Sequence, residues 1–261
     1  MAEPRRVRIG CSGWQYDDWR GRFYPRRTPL RSWLEAYADR FAIVESNNAF
    51  YRLPERRTFE AWADRTPDDF VMTVKVSRYL THLRRLREPH DPVTRFMSRV
   101  EGLGAKLGPV LLQLPPQFHA NAERLDRTLD QFPAGVRVAV EFRHDSWYTA
   151  EIRELLEHHR AALCLADRRG PLTPIWRTAD WTYLRFHEGR SRPWPSYGRV
   201  ALDSWARRLA DNWAGDEDCY VFFNNDQRAC APRDAARFAG HCRRAGRRPS
   251  RSPSPRAVHA G

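Results

Sequence analysis

Residues 137–143, which read RVAVEFR, decide the fold. Side chains alternate between the two faces of a β-strand, so Val138, Val140 and Phe142 share one apolar face. The opposite face carries Glu141 and Arg143 at its C-terminal end. This pattern is typical of a strand whose apolar face is covered by helices. The charges then lie on the other face, where the C-terminal end of the strand reaches solvent.

The same β-rich character recurs along the chain in seven further runs, at residues 7–11, 41–45, 70–76, 110–114, 162–166, 181–187 and 219–224. Helical patterns separate almost all of them, and strands that alternate with helices predict a parallel sheet. Between the sixth and seventh runs only RRGPLTPIWRTAD is available, so one helix is expected to be vestigial. We therefore predict an α/β fold, a single (β/α)8 TIM-barrel-like domain, with a doubly wound open sheet as the alternative.

The formal net charge of +13 is concentrated at the two ends of the chain. Residues 243–261 contain six Arg and no acid, and residues 1–8 contribute a further +2. The body between them carries only +5, so the charge is a weak argument for a nucleic-acid partner. Only Lys75 and Lys106 are lysines among 45 basic residues.

Composition also predicts the domain organisation and the compartment. We expect an N-terminal extension at 1–6, the barrel at 7–244 and a disordered tail of Arg, Ser and Pro at 245–261. No apolar run approaches the roughly 18 residues of a membrane span, and no secretory signal is visible. The five cysteines form no CxxC pair, which indicates reduced thiols in a cytoplasmic protein.

Polar side chains gather near the C-terminal ends of the predicted strands, on the face opposite the helices. In (β/α)8 barrels the sites are built at this end, which we call the mouth. The members of the set are Glu45, Lys75, Gln113, Glu141, Arg143, Arg185, His187, Asn224, Asn225 and Asp226. Asp167 follows the sixth strand, although alternation puts it on the outer face. An isolated buried charge costs several kcal/mol, so the set predicts either a wet pocket or a salt-bridge network that closes the barrel.

Four of these residues are candidates for catalysis. Lys75 persists where Arg has replaced nearly every other Lys, and a compact amine whose pKa falls on burial serves as a base or a covalent nucleophile. Glu45 and Glu141 are acid/base candidates, and His187 is a candidate proton shuttle.

The remaining candidates are assigned to substrate binding. Arg143 and Arg185 are predicted anion clamps. The others are Ser12, Trp14, Asn47, Gln113, His144, Asp167, Asn224, Asn225 and Asp226. The loop after the first strand is rich in aromatic residues, which would stack on a sugar or a base, or else form a lid or part of the core.

A divalent metal site at Glu45, Glu141, Asp167 and His187 is one further interpretation. Three basic groups at the same level oppose cation binding, so we expect no metal and no cofactor. The sequence also contains no GxGxxG, Walker, HExxH or GxSxG motif.

Several strings resemble the YecE-like family, which is also called the domain of unknown function 72 family. They are GCSGWQYDDWRGRFYP, VESNNAFYRLP, FVMTVKVSRYLTH, LGPVLLQLPPQF, VAVEFRHDSWY, YLRFHE and YVFFNNDQRACAPRDA. The resemblance covers roughly residues 7–242 and leaves the basic tail outside the family pattern. It implies a TIM barrel and supplies no reaction.

The combined prediction is a metal-independent barrel enzyme that acts on a small anionic or sugar-phosphate-like substrate at the mouth. The chemistry would be acid/base or assisted by Lys75. Two alternatives are a nucleic-acid-associated barrel, in which the aromatic first loop stacks bases, and a barrel that binds a small molecule without turnover. No membrane association is expected, and the oligomeric state is left open.

Overall fold

Eight parallel strands close into a barrel in this computed structural model, which describes residues 7–168, 173–213 and 217–258. The strands are β1 Val7–Ser12, β2 Ile43–Ser46, β3 Val71–Lys75, β4 Leu107–Gln113, β5 Val138–Glu141, β6 Ala162–Asp167, β7 Trp181–Phe186 and β8 Asp218–Phe223. Each strand pairs with the next, and β8 pairs with β1 from the Val7–Cys219 register to the Cys11–Phe223 register. This closure confirms the predicted barrel and excludes the open sheet.

Helices cover the outside of the barrel. The described residues contain α1 Trp33–Ala38, α2 Asn48–Tyr51, α3 Arg56–Asp64, α4 His90–Val100, α5 Ala122–Leu129, α6 Ala150–His158, α7 Arg199–Asn212 and α8 Cys230–Arg244. A π-helical turn at Tyr79–Leu83 follows β3. Between β6 and β7 the described residues form no helix, as expected from the short connection there.

The two faces of each strand divide as the alternation predicts. Side chains such as Val138 and Val140 point outward and pack against the helices in the main core. A smaller apolar cluster fills the barrel interior, with members from six strands: Ile43, Leu111, Ala139, Ala162, Cys164, Trp181, Tyr183, Tyr220 and Phe222. The interior is therefore packed below the mouth, and the polar side chains lie above this apolar plug.

The contact between β1 and β2 depends on one glycine and one tyrosine. A Cβ atom on Gly10 would lie 2.2 Å from the carbonyl oxygen of Ile43, so no larger residue fits there. The Tyr37 hydroxyl accepts from the Cys11 amide at 2.8 Å and donates to the Ile43 carbonyl at 2.9 Å. This hydroxyl bridges the strands where their direct pairing has not yet begun.

The predicted disorder of the tail is wrong for residues 245–258. Strand β1 pairs with β2 only from Cys11 onward, so its first residues have an open edge. The tail fills this edge: the Val7 amide donates to the Arg248 carbonyl at 3.0 Å, and the Ser250 amide donates to the Val7 carbonyl at 2.8 Å. Val258 is buried as well. Residues 1–6 and 259–261 of the predicted extension and tail lie outside the described residues.

Two further predictions concern the state of the cysteines and the presence of a membrane span. All five cysteines are buried and unpaired, as expected for reduced thiols. No helix in the described ranges combines the length and the apolar character that crossing a membrane requires.

Candidate functional site

A buried arginine bridges two carboxylates at the centre of the mouth. Arg185, near the end of β7, donates from Nη2 to Glu45 Oε1 at 2.8 Å and from Nη1 to Glu141 Oε2 at 2.6 Å. Its side chain is 2% exposed, and both carboxylates are fully buried. Burial disfavours the charged guanidinium, but the two carboxylates outweigh burial and raise the pKa of Arg185. Arg185 therefore uses both Nη atoms on carboxylates within the site, and its buried Nε atom has no acceptor among the described residues.

Glu45 is surrounded by hydrogen-bond donors. Oε1 also accepts from Ser12 Oγ, and Oε2 accepts from the Tyr183 hydroxyl, both at 2.6 Å. Ser12 thus contacts Glu45 rather than open space. A carboxylate that accepts three hydrogen bonds is positioned as a fixed negative charge.

Glu141 holds the second half of the site. Its Oε1 atom lies 2.6 Å from Arg143 Nη2 and 3.1 Å from His187 Nε2. Burial alone would raise the pKa of Glu141, but Arg185 and His187 lower it well below its usual range. Glu141 is therefore ionised at neutral pH.

Three side chains contact the imidazole of His187. Asn224 Nδ2 lies 3.3 Å from Nδ1, while Glu141 Oε1 at 3.1 Å and Arg143 Nη2 at 3.2 Å both lie near Nε2. Burial lowers the pKa of His187, against the opposing effect of the Glu141 carboxylate. The imidazole is therefore neutral at neutral pH and is held between Glu141, Arg143 and Asn224.

Lys75 is the least satisfied charged group of the mouth. Its Nζ atom donates to Gln113 Oε1 at 2.8 Å and lies 3.8 Å from the centre of the Phe50 ring. Burial, with the positive charge of Arg185, lowers the pKa of Lys75 to about 8. Gln113 Oε1 also lies 3.4 Å from Arg185 Nη1, so this amide links the amine to the arginine bridge.

Asp167 lies outside this group, on the face that alternation indicates. Its carboxylate accepts from the indole of Trp205 in α7, and burial raises its pKa. Among the described residues, Lys75, Arg143 and Arg185 are therefore balanced by Glu45 and Glu141 alone, which leaves one excess positive charge in this group.

Trp14 and Asn47 meet beside the mouth rather than in it. Both line a cleft of about 620 Å³ between the first loop and residues 47–58. Trp14 is itself buried and packs edge-on against Trp62 at 5.3 Å. Asn47 directly follows β2, and its Oδ1 atom is buried without a hydrogen-bond donor from the described residues.

Three other predicted binding residues are held by local contacts. His144 Nδ1 accepts from the Ser146 amide at 3.2 Å, and its ring lies 3.9 Å from that of His119. Asn225 is buried and donates to Asp234 Oδ2 at 2.9 Å. The Asp226 carbonyl accepts from the indole of Trp19 at 2.8 Å, and burial raises the pKa of its carboxyl group.

The first loop packs its aromatic residues inward. Trp19, Phe23 and Tyr24 are almost completely buried and contact one another at ring-centre distances between 4.9 and 6.0 Å. They are core residues, as the alternative interpretation held, and they present no free face for a base. This removes the observation that motivated a nucleic-acid-binding first loop.

The four side chains considered for a divalent metal do not converge. Asp167 points toward α7, while Glu45 and Glu141 are both held by Arg185. Within the described ranges, no three or more His, Cys, Asp or Glu side chains are grouped so that they would hold a metal ion.

Strand alternation does not select His82, which nevertheless belongs to the mouth. It lies on the π-helical turn after β3, where its Nδ1 atom contacts Thr81 Oγ1 at 2.9 Å and its ring meets Phe50 edge-on at 5.0 Å. Burial, then the charge of Lys75, lowers the pKa of His82 to about 4. π-Turns often occur at functional sites, and the string VKVSRYLTH already carries this residue at its end.

The closed parallel barrel and its charged mouth define a (β/α)8-barrel protein. Residues 8–258 match the family model described as protein of unknown function DUF72. The chain belongs to this family, which confirms the resemblance found in the sequence. The match extends to residue 258, so the tail, which we placed outside the family pattern, lies within it except for its last residues.

Relatives in several bacteria support the same assignment. The chain is 27% identical over 252 residues to the UPF0759 protein YecE of Escherichia coli K12, covering 87% of this chain and 89% of the relative. It is 26% identical over 253 residues to the UPF0759 protein YunF of Bacillus subtilis, covering 84% and 89%.

Solved structures show the same fold. A DUF72 family protein from Thermotoga maritima superposes with a TM-score of 0.78 at 30% identity, covering 90% of this chain and 98% of the other. A DUF72 family protein from Enterococcus faecalis has a TM-score of 0.76 at 18% identity, with 91% and 95% covered, and shows the fold alone. No activity or substrate follows from these similarities.

Proposed function

We propose that the mouth is the active site of an enzyme that binds a small anionic carbonyl compound and uses Lys75 as the reacting amine. The observation that carries this proposal is the environment of Lys75: a buried amine with one hydrogen-bond acceptor among the described residues and a pKa lowered to about 8. At pH 7 about a tenth of such an amine is neutral, several hundred times more than for an exposed lysine. A neutral amine is what nucleophilic attack or proton abstraction requires.

The excess positive charge of the mouth supports an anionic substrate. Arg185 is consumed by two carboxylates, whereas Arg143 is 21% exposed and contacts Glu141 through Nη2. The Nε atom of Arg143 is buried and finds no acceptor among the described residues. A carboxylate or phosphate that accepts from Arg143 would satisfy this donor and balance the charge.

The chemical step that we propose is imine formation. The neutral amine of Lys75 adds to the substrate carbonyl, and the resulting carbinolamine takes up one proton from solvent and loses water to give a protonated imine. The nearby Glu45 and Glu141 carboxylates then stabilise this cation as Coulomb partners. His187 and Asn224 keep Glu141 in place.

Borohydride trapping tests this proposal directly. The protein is incubated with a panel of 2-oxo acids and keto- and aldo-sugar phosphates, reduced with sodium borohydride and digested for peptide mass spectrometry. We expect an adduct on the peptide that contains Lys75 and none on the peptide that contains Lys106. Because the chain has only two lysines, the assignment is unambiguous.

Two variants complete the test. Lys75→Arg keeps the positive charge and abolishes the adduct, whereas Lys106→Arg retains it. The absence of an adduct with every member of the panel, or equal labelling of both lysines, would overturn the proposal. A ligand that is bound tightly and never converted to product would instead support the small-molecule-binding alternative.

A further inference from the structure

A second polar region is formed by residues 188–198 of the loop between β7 and α7, apart from the side chains that contact Arg185. The loop folds back on itself, because the Gly189 amide donates to the Pro195 carbonyl at 3.0 Å and the Ser191 amide donates to the Ser196 carbonyl at 3.3 Å. A Cβ atom on Gly189 would lie 2.0 Å from the Ser196 carbonyl oxygen, so the turn requires glycine. The loop therefore has a defined shape.

A fully buried carboxylate fixes this loop to the barrel. Asp234 in α8 accepts from Ser196 Oγ at 2.9 Å, from the Tyr197 amide at 2.8 Å and from Asn225 Nδ2 at 2.9 Å. Arg233 and Arg237 approach the same carboxylate only at 3.9 and 3.6 Å. Neutral donors thus occupy the carboxylate, and the guanidinium groups beside it keep most of their hydrogen-bonding capacity.

These elements enclose a cleft of about 570 Å³ that we call the Trp194 cleft. Its principal side chains are Ser191, Arg192, Trp194, Arg199, Arg233 and Arg237. Among the described residues that line it, none is acidic. Four arginines against the single buried carboxylate of Asp234 leave a positive surface, which attracts a polyanion.

Trp194 gives the cleft a second kind of contact. Its side chain is 38% exposed, unlike most tryptophans of the molecule, and the guanidinium of Arg228 lies 4.9 Å from its ring. This contact holds the indole in a fixed orientation beside the arginines. An exposed indole next to guanidinium groups offers a stacking surface and phosphate ligands in one place.

We propose that the Trp194 cleft binds a free nucleoside polyphosphate. The arginines hold the phosphates through paired N–H donors, and the indole stacks on the base. The cleft volume lies within the roughly 300–1,000 Å³ that small-molecule sites occupy. A single exposed indole in the cleft favours one free nucleotide over a nucleic-acid strand, which needs a row of stacking positions along a groove.

Isothermal titration calorimetry with ATP, tripolyphosphate and a single-stranded oligo(dT) tests this inference. Arg192→Ala/Arg199→Ala changes two exposed residues and lowers the affinity for ATP and for tripolyphosphate, each by at least about tenfold. Trp194→Ala lowers the affinity for ATP by about tenfold and leaves tripolyphosphate unchanged, because the indole contacts only the base.

The control is Arg27→Ala/Arg57→Ala, which removes the same charge at exposed positions outside the cleft and leaves ATP affinity within about twofold of wild type. Lys75→Ala also retains ATP binding, which separates this cleft from the mouth. No saturable binding at about 1 mM ATP would overturn the inference. An equal loss in the control variant, or tighter binding of the oligonucleotide than of ATP, would overturn it as well.

Discussion

The barrel holds one lysine at each end, and the two are bonded very differently. Lys106, directly before β4, donates from Nζ to the carbonyl oxygens of Ala63 and Thr66, both at 2.6 Å. Lys75, at the C-terminal end of β3, donates to Gln113 Oε1 at 2.8 Å as its only described acceptor. The first amine is satisfied by two backbone carbonyl groups, whereas the second has one acceptor and the face of the Phe50 ring.

Arginines at the two ends of the barrel also differ in their ion pairs. At the N-terminal end, Arg137 Nη1 lies 2.7 Å from both Asp218 Oδ2 and the Tyr220 hydroxyl, and Arg251 pairs with Asp69 at 2.8 Å. At the mouth, Arg143 and Arg185 share Glu141, and Lys75 has no carboxylate at ion-pair distance among the described residues. In (β/α)8 barrels the N-terminal end serves stability and the C-terminal end serves function. The described residues differ between the ends in the same sense.

The largest expected effect comes from Lys75→Met. If Lys75 is the reacting amine, this variant lowers the rate of borohydride-trapped adduct formation at least about a thousandfold. The folded state is retained, since among the described residues the amine contacts only the Gln113 side chain and the face of Phe50. Mass spectrometry measures the rate, and circular dichroism with thermal unfolding measures the fold. An unchanged rate would break the comparison between the two ends.

Arg185→Met tests whether this cation of the mouth is needed for the stability of the fold. The variant leaves Glu45 and Glu141 without their shared guanidinium, and an unpaired buried charge destabilises the fold by roughly 3–5 kcal/mol. Urea unfolding at pH 7 measures this loss. The matched triple variant with Glu45→Gln and Glu141→Gln removes the unpaired charges and recovers most of the stability. A single variant as stable as wild type would contradict the bridging role.

The pH dependence of the free energy of unfolding measures the pKa shift of the Lys75 amine. Its pKa falls on folding from 10.5 to about 8, so the folded state carries the full penalty below pH 8. As the pH rises toward 10.5, the folded protein releases this proton while the unfolded chain keeps it, so the free energy of unfolding increases by roughly 3 kcal/mol.

Lys75→Met is the control for that measurement. It removes the penalty, so the variant is more stable than wild type at pH 7 and the difference shrinks by pH 10. Urea unfolding of both proteins at pH 7 and pH 10 gives the difference in their free energies of unfolding. All other groups that titrate at alkaline pH are present in both proteins, so their contributions cancel. A constant difference would show that the amine titrates equally in the folded and unfolded chains.

The smallest expected effect belongs to the opposite end. Lys106→Met leaves the two carbonyl oxygens without their donor and costs roughly 1–3 kcal/mol. The rate of adduct formation at the mouth stays within about twofold of wild type, because the change lies at the far end of the barrel. A loss of adduct formation larger than the loss of folded protein would contradict the assignment of stability to the N-terminal end of the barrel and function to the C-terminal end.

Local periodicity was enough to predict the barrel and the inner face of the mouth. A period of two places Lys75, Glu141 and Arg185 on one side of their strands whatever the rest of the chain does. It also indicates that Asp167 faces outward, which the contact with Trp205 confirms. These features depend on neighbouring residues alone.

Other features depend on contacts between distant segments, which composition does not encode. The anchoring of Asn225 to Asp234 requires α8 to be docked, and the burial of the first-loop aromatics requires β8 and α1 beside them. His82 lies on a π-turn rather than at a strand end, so alternation passes over it. The tail is rich in Arg and Ser, yet it orders because β1 offers an open edge.

That open edge has a consequence for how the molecule assembles. Strand β1 is bonded on one side by β8 and, at its beginning, by residues 248–250 on the other side. The segment of the barrel synthesised first therefore obtains its partners from the segments synthesised last. Contacts between the extremes of a chain close slowly, because the intervening loop must first be ordered. Until β8 and residues 248–250 emerge, a nascent chain on the ribosome presents an incomplete barrel in which β1 is paired only with β2.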